Sequence, residues 1–290
     1  MKPVSIADLP ARQFLPEQQV WSVRDTQLYA LGLGVGHDPC DPFQLAFLNA
    51  GDPQVLPTQA AVLAASSDWM RDPANGIDAT QLVALSHTIR LDRKLPARGL
   101  VQSRLRVTQV FDRGPGRGAV IHWHRQLYAD GGERLATVEG RALARANGGF
   151  GGTAPRREPV APPEGPPART VTWPTHPGQA LLYGLSGDSN PLHTDPDVAR
   201  SAGFPRPVLH GLCSLGISAL AVARAAADSV GDAWLAGISG RYAGVVYPGE
   251  SLRVDVWIPA PTEIRFRCIA VGRQTPVIED GAAWLVPETL

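Results

Sequence analysis

Over residues 251–258 apolar and polar positions alternate, with Leu252, Val254, Val256 and Ile258 on one face, and this period of two predicts a β-strand. Ile264, Phe266 and Cys268 repeat it over residues 263–268. In the first half Leu105 and Val107 alternate with Arg104 and Arg106, and further strands are expected over 83–91, 119–128 and 134–143. Glycine-rich turns at 113–118 and 130–132 separate the later ones, and connections this short favour antiparallel pairing. One stretch follows a different rule. Residues 208–227 are apolar nearly all round, which predicts a helix buried on every side. His210, Ser214, Ser218 and Arg224, with many alanines and glycines, set it apart from a bilayer helix, which needs about 20 dominantly apolar residues.

Linker composition, rich in Gly and then in Pro, runs from 147 to 170. We place the linker at 151–170, between an N-terminal domain at 1–150 and a C-terminal domain at 171–290. The two halves look related. Tyr29-Ala-Leu-Gly parallels Tyr183-Gly-Leu-Ser, and the apolar block starting at Val55 parallels the one starting at Val208. The Tyr-to-Val spacing is 26 residues in the first half and 25 in the second, an offset that points to duplication of one domain. Each half then reads as an irregular segment, one apolar helix and an antiparallel meander. A sheet with one apolar face must bury it, and the helix is the available partner, so the fold class is α+β.

A chain of 290 residues, 44% of them hydrophobic, can build two cores. Its 27 basic and 27 acidic residues cancel, which argues against the basic face that nucleic-acid binding needs. Three widely spaced cysteines without a C-x-x-C pair argue for a reducing compartment. The first residues contain no apolar run of signal-peptide length, and the last four are not a peroxisomal address of the Ser-Lys-Leu type. A soluble cytoplasmic protein with neither nucleic-acid nor membrane partner is expected.

The chemistry is concentrated between Tyr183 and Gly211. Asp188, Asn190 and His193 place a carboxylate, a carboxamide and an imidazole within six residues. Pro191 pushes Asn190 out of the helical region, so the three sit on an irregular segment, where catalytic groups concentrate. A carboxylate and an imidazole are the usual general acids and bases. Gly211 opens the expected helix, where unpaired N–H groups and the dipole favour negative charge and no side chain blocks a ligand.

Ser186-Gly-Asp-x-Asn-Pro-x-His193, the Asp195-Pro196 continuation through Ala199, and Gly203-Phe-x-x-Pro-Val-x-His-Gly211 resemble the MaoC-like dehydratases. Within that family they are most similar to the (R)-specific, type-2 enoyl-CoA hydratases. The resemblance implies two tandem hotdog domains, each an antiparallel sheet wrapped around a central apolar helix. It implies reversible hydration of a trans-2-enoyl-CoA to a (3R)-3-hydroxyacyl-CoA, with no metal, no redox cofactor and a homodimeric assembly. It also implies Asp188, Asn190 and His193 as catalytic residues and Gly211 as the oxyanion donor. We expect Asp188 to be the main base, His193 to share the water and shuttle its proton, and Asn190 to orient it. In the repeat alignment Asp188 falls near Leu33 or Gly34, and His210-Gly211 on Pro57-Thr58. The first half is therefore expected to have lost catalysis and to shape the acyl pocket. His210 is a substrate-side candidate whose simplest role is bonding to backbone near the helix start. Arg206 and Arg241, with Arg200, are candidates for the CoA phosphates by proximity in sequence alone.

Plainer roles compete with several of these. Asp188 can make an Asx turn, Asn190-Pro191 is a common turn dipeptide, and Asp195 can cap a short helix with Pro196 at its first position. Gly32-Leu-Gly-Val-Gly36 does not fit a dinucleotide loop, and His122 and His124, on one strand face, lack a third metal ligand. Cys213 on the buried helix is a core residue. Alternatives in function are a dehydratase for a branched or dicarboxylic acyl-CoA, a catalytically silent acyl-thioester-binding subunit, and a thioesterase.

Overall fold

The alternating segments form strands. The computed structural model describes residues 5–66, 68–152, 160, 163–230 and 233–288. Among these lie the strands β1 (Glu17–Trp21), β2 (Leu82–Leu91), β3 (Gly99–Asp112), β4 (Ala119–Ala129), β5 (Arg134–Ala144), β6 (Arg169–Pro174), β7 (Ala233–Tyr242), β8 (Ser251–Ala260), β9 (Glu263–Ala270) and β10 (Thr275–Pro287). The helices are α1 (Val23–Gly32), α2 (Pro42–Ala46), α3 (Asp68–Arg71), α4 (Gln179–Gly184), α5 (Pro196–Ser201) and α6 (Gly211–Ala227). Residues 153–159 and 161–162 of the expected linker lie outside the described residues, and β6 takes up its last two positions.

The strands make one antiparallel sheet in the order β1-β3-β4-β5-β2-β7-β10-β9-β8-β6. Read outward from the centre, each half repeats one sequence of positions. β2 matches β7, β5 matches β10, β4 matches β9, β3 matches β8 and β1 matches β6. The halves join where β2 pairs with β7, with His87 opposite Gly240, Ile89 opposite Ile238 and Arg90 opposite Gly237. The halves meet a second time where α1 packs against α4. A Cβ on Gly32 would stand 3.2 Å from the Tyr183 Cα, so the lack of a side chain lets the two backbones approach. Side chains of the second half also finish the end of α1. Trp173 Nε1 donates to the Leu33 carbonyl at 2.9 Å, and Gln179 Nε2 to the Gly32 carbonyl at 2.5 Å.

The helix expected over 208–227 begins at Gly211 and is buried from Cys213 through Val222. Leu215, Ile217 and Leu220 are inaccessible to solvent. Its buried hydroxyls bond back along the helix, Ser218 Oγ to the Ser214 carbonyl at 2.9 Å, which satisfies them without another element. The equivalent place in the first half is filled differently. Only a 3-10 turn, Pro57–Ala61, forms there. Arg125 Nη2 donates to the Ala60 and Ala61 carbonyls at 3.2 and 2.6 Å, acceptors that a continuing helix would use itself. The Ala64 N–H goes to Gln19 Oε1 instead of a helical carbonyl, and Ala64 is left-handed at φ 45°. The expected apolar helix of the first half is thereby cut short.

At the joint, a Cβ on Gly237 would lie 2.7 Å from the Ile89 carbonyl oxygen and 3.0 Å from the Trp284 ring. The first of these is paired backbone and cannot move aside. Gly237→Ala is expected to destabilise the protein by about 1–3 kcal/mol, the usual cost of overpacking, measured as a lower urea midpoint against the native chain.

Candidate active site

The segment after α4 is shaped by polar side chains acting on their own backbone. Gly187, at φ 122°, turns the chain out of the helix in a conformation that favours glycine. Asp188 Oδ1 then accepts the Asn190 N–H at 3.2 Å, and Asn190 Oδ1 accepts the Leu192 N–H at 3.1 Å. Pro191 starts the short 3-10 turn Pro191–His193. The turn roles expected for Asp188 and Asn190 are thus present, and they present His193 toward the start of α6. Asp195 caps α5, with Pro196 at its first position.

His193 and His210 are each oriented by a backbone carbonyl. His193 Nδ1 lies 2.8 Å from the Val208 carbonyl, and His210 Nε2 lies 3.3 Å from the Asp188 carbonyl. A carbonyl only accepts, so each of these nitrogens carries the proton, and in the neutral rings His193 Nε2 and His210 Nδ1 are acceptors. His210 Nδ1 is buried without a hydrogen-bond partner among the described residues. The two rings stack with centroids 3.7 Å apart and planes at 32°. Asp188, His193 and His210 each place a polar side-chain atom within 4.8 Å of the others.

Gly211 completes the cluster. His210, the N-cap of α6, supplies no side-chain acceptor to the first-turn N–H groups, so the positive end of the helix is open beside Asp188 and His193. The Tyr242 ring occupies the space a side chain would take. A Cβ on Gly211 would lie 3.0 to 3.3 Å from three of its carbon atoms. Tyr242 Oη is 2.9 Å from Nδ1 of His87, a buried residue of β2. Neither Tyr242 nor His87 stood out in the sequence, because their nearness to Gly211 arises only from the pairing of β2 with β7.

Asp188, Asn190, His193, His210 and Gly211 are therefore brought together. The arginines are not. Arg206 is exposed, with its guanidinium 5.0 Å from the Tyr247 ring centre. Arg241 is bound by Glu279 and, at 2.8 Å, by Asp280, so two carboxylates already offset the charge expected to meet CoA phosphates. Arg200 pairs with Asp197 on exposed α5.

Burial dominates the imidazoles. It pushes His87 and His210 down to about 4 and lowers His193, while the Asp188 charge pulls all three the other way. A ring in the unfolded chain protonates near 6.5, whereas His87 and His210 resist until about 4, so the stability they contribute is complete above about 6.5 and lost as pH falls toward 4. Between pH 6.5 and 5, above the range of most carboxylates, the unfolding free energy is expected to drop with a slope that steepens toward about 1.4 kcal/mol per pH unit for each of these two rings. Urea titrations at closely spaced pH test this. A flat profile there would mean that the folded rings protonate like free imidazole.

Both halves of the chain match known proteins. Residues 157–280 match the MaoC like domain, and residues 20–146 match the MFE-2 hydratase 2 N-terminal domain. The chain is 40% identical over 260 residues to the enoyl-CoA hydratase ChsH3 of Mycobacterium tuberculosis, covering 88% of this chain and 90% of that one. It is 34% identical to the peroxisomal enoyl-CoA hydratase 2 of Arabidopsis thaliana, with 87% of each chain covered. In fold it resembles a MaoC-like dehydratase from Phytophthora capsici, with a TM-score of 0.82 at 24% identity, covering 99% of this chain and 100% of that one. Its two five-stranded halves are the double hotdog architecture. The second half matches the MaoC like domain, the first half matches the MFE-2 hydratase 2 N-terminal domain, and one hydratase is 40% identical across both, so the chain belongs to the MaoC-like dehydratase family.

Proposed function

We propose that this chain is a hydro-lyase that reversibly hydrates trans-2-enoyl-CoA thioesters to (3R)-3-hydroxyacyl-CoA. The observation that carries this reading is the placement of Asp188 and His193 beside the open amino end of α6. Hydration needs a base for water, a proton for C2 and donors for the developing enolate oxygen. The Asp188 carboxylate and the His193 Nε2 lone pair hold one water. Its oxygen bonds to C3, its proton passes to this pair, and the C2=C3 electrons move toward the thioester oxygen. The Gly211 N–H, at the positive end of the helix, stabilises that oxygen. C2 then takes a proton as the enolate collapses, so water is added and nothing is oxidised or reduced. The proton belongs to the Asp188–His193 pair rather than to either residue. Asn190 spends its carbonyl on Leu192, which leaves its NH2 to orient the water.

A line of rings supports the role of the first half in shaping the acyl pocket. From Tyr242 it runs through His87 to Trp123, then to Trp69 and Phe14, with successive centroids 5.5 to 6.4 Å apart. Phe14, Trp69 and Leu105 line an open cleft at its far end. Arg206, whose charge no carboxylate holds at salt-bridge distance among the described residues, is our candidate for the CoA phosphates. No helix among the described residues is long and apolar enough to cross a membrane. Cytosolic location and a homodimer complete the proposal, the latter read by light scattering.

We take the reaction to be metal-free, although Asp188, His193 and His210 are ligand types. Imidazole lone pairs lie in the ring plane, and rings stacked at 3.7 Å direct them side by side instead of toward one ion. Full hydration activity after dialysis against EDTA is expected, and loss restored by one divalent ion would overturn this.

The central test is the fall in ultraviolet absorbance of crotonyl-CoA and longer trans-2-enoyl-CoAs. Asp188→Asn and His193→Gln are each expected to cost roughly a hundredfold or more in kcat. Absence of turnover by the native protein across this series would exclude a general enoyl-CoA hydratase.

A further inference from the structure

We propose that His87, contributed by the first half, is a positioning residue for the reaction: its hydrogen bond to the Tyr242 hydroxyl holds the Tyr242 ring against Gly211 and so sets where the thioester oxygen meets the amino end of α6. This role rests on the hydratase reading above. It also makes the second half dependent on the first for its chemistry.

His87 sits in β2 at the joint, opposite Gly240 of β7, and is 8% exposed. Its Nδ1 lies 2.9 Å from Tyr242 Oη, with the two rings 5.7 Å apart at 63°. The Trp123 ring stands 5.6 Å from the imidazole at 70° and packs against it. Trp123 is in turn held flat by β5, since a Cβ on Gly140 would come 2.2 Å from its indole. The imidazole is thus clamped by rings and joined to the catalytic half through one polar atom. Tyr242 is the last residue of β7, paired with Ile278 of β10 but one position past the end of the pairing with β2, so the bond to His87 is what ties its ring to the first half.

What that ring touches gives the bond its consequence. Cδ1, Cε1 and Cζ of Tyr242 stand 3.0 to 3.3 Å from the position of a Cβ on Gly211, so the ring is the wall beside the first N–H of α6. A ring free to swing would leave that wall undefined, and a donor acts on a transition state only when its surroundings are fixed beforehand. Burial and the Arg125 charge keep His87 neutral, so the pair adds no net charge to compete with Asp188. An apolar pair would pack the joint as well. The polar pair adds a fixed torsion for Tyr242.

The test compares hydration of crotonyl-CoA by the native protein, Tyr242→Phe, His87→Phe, the double variant and His87→Asn, whose amide keeps a polar atom near the Nδ1 position. Loss of the bond is expected to lower kcat about tenfold in each phenylalanine variant, with KM changed less than about twofold, because the interaction is made in the transition state. The double variant should be no slower than either single one, since both remove the same bond, and His87→Asn should recover most of the rate. Thermal midpoints of all five proteins separate a folding defect from a catalytic one. Native kcat in Tyr242→Phe with a lowered midpoint would reduce the pair to a strut of the joint. Multiplicative losses in the double variant would also overturn the coupling. No turnover by the native protein would remove the hydratase reading and this role with it.

Discussion

The antiparallel pairing of β2 with β7 is the constraint on which the rest depends. It turns two five-stranded halves into one sheet and leaves neither with an open inner edge. It places His87 beside Tyr242, and Tyr242 beside Gly211, residues from three different elements. The register tolerates no side chain at Gly237, which faces the Ile89 carbonyl across the seam. With the α1–α4 contact, the two halves are joined at two places.

The site's chemistry follows from what burial does to a helix end and to an imidazole. α6 is buried along most of its length, and His210 at its N-cap gives no side-chain acceptor to the first-turn N–H groups. His193 and His210 are kept neutral by the same desolvation, and each is aligned by one backbone carbonyl. A neutral imidazole with its Nε2 lone pair free is the form that can accept a proton from water. Asp188, held by the turn it makes with Asn190, supplies the negative charge that counteracts the desolvation.

The two halves show how duplicated domains diverge. They share the order of strands, and α1 mirrors α4, but only the second half keeps the long central helix. In the first, a buried guanidinium takes the carbonyls that would propagate the helix, and the chain turns back at Ala64. Trp123 packs against His87 and Trp69 in this half, part of a line of rings that ends at Phe14.

Local features were legible in the sequence because local physics decides them. The turn at Asp188–His193, the cap at Asp195, the buried helix from Gly211 and the clean alternations of β2, β4, β5, β8 and β9 depend on residues within a few positions of one another. β7 and β10 escaped notice because small residues and bulges blur their period, with β10 shifting register between Glu279 and Ala282. The first-half helix was expected and is absent, since Arg125 and Gln19, 65 and 45 residues from their partners, redirect its hydrogen bonds. Proximity in sequence likewise made Arg241 a candidate for phosphate, whereas two carboxylates of β10 hold it. The residues of the candidate acid–base turn thus lie in one short segment. The wall beside Gly211, and the half of the molecule that holds it, came from strand pairing between residues 155 apart, a relation that no local pattern encodes.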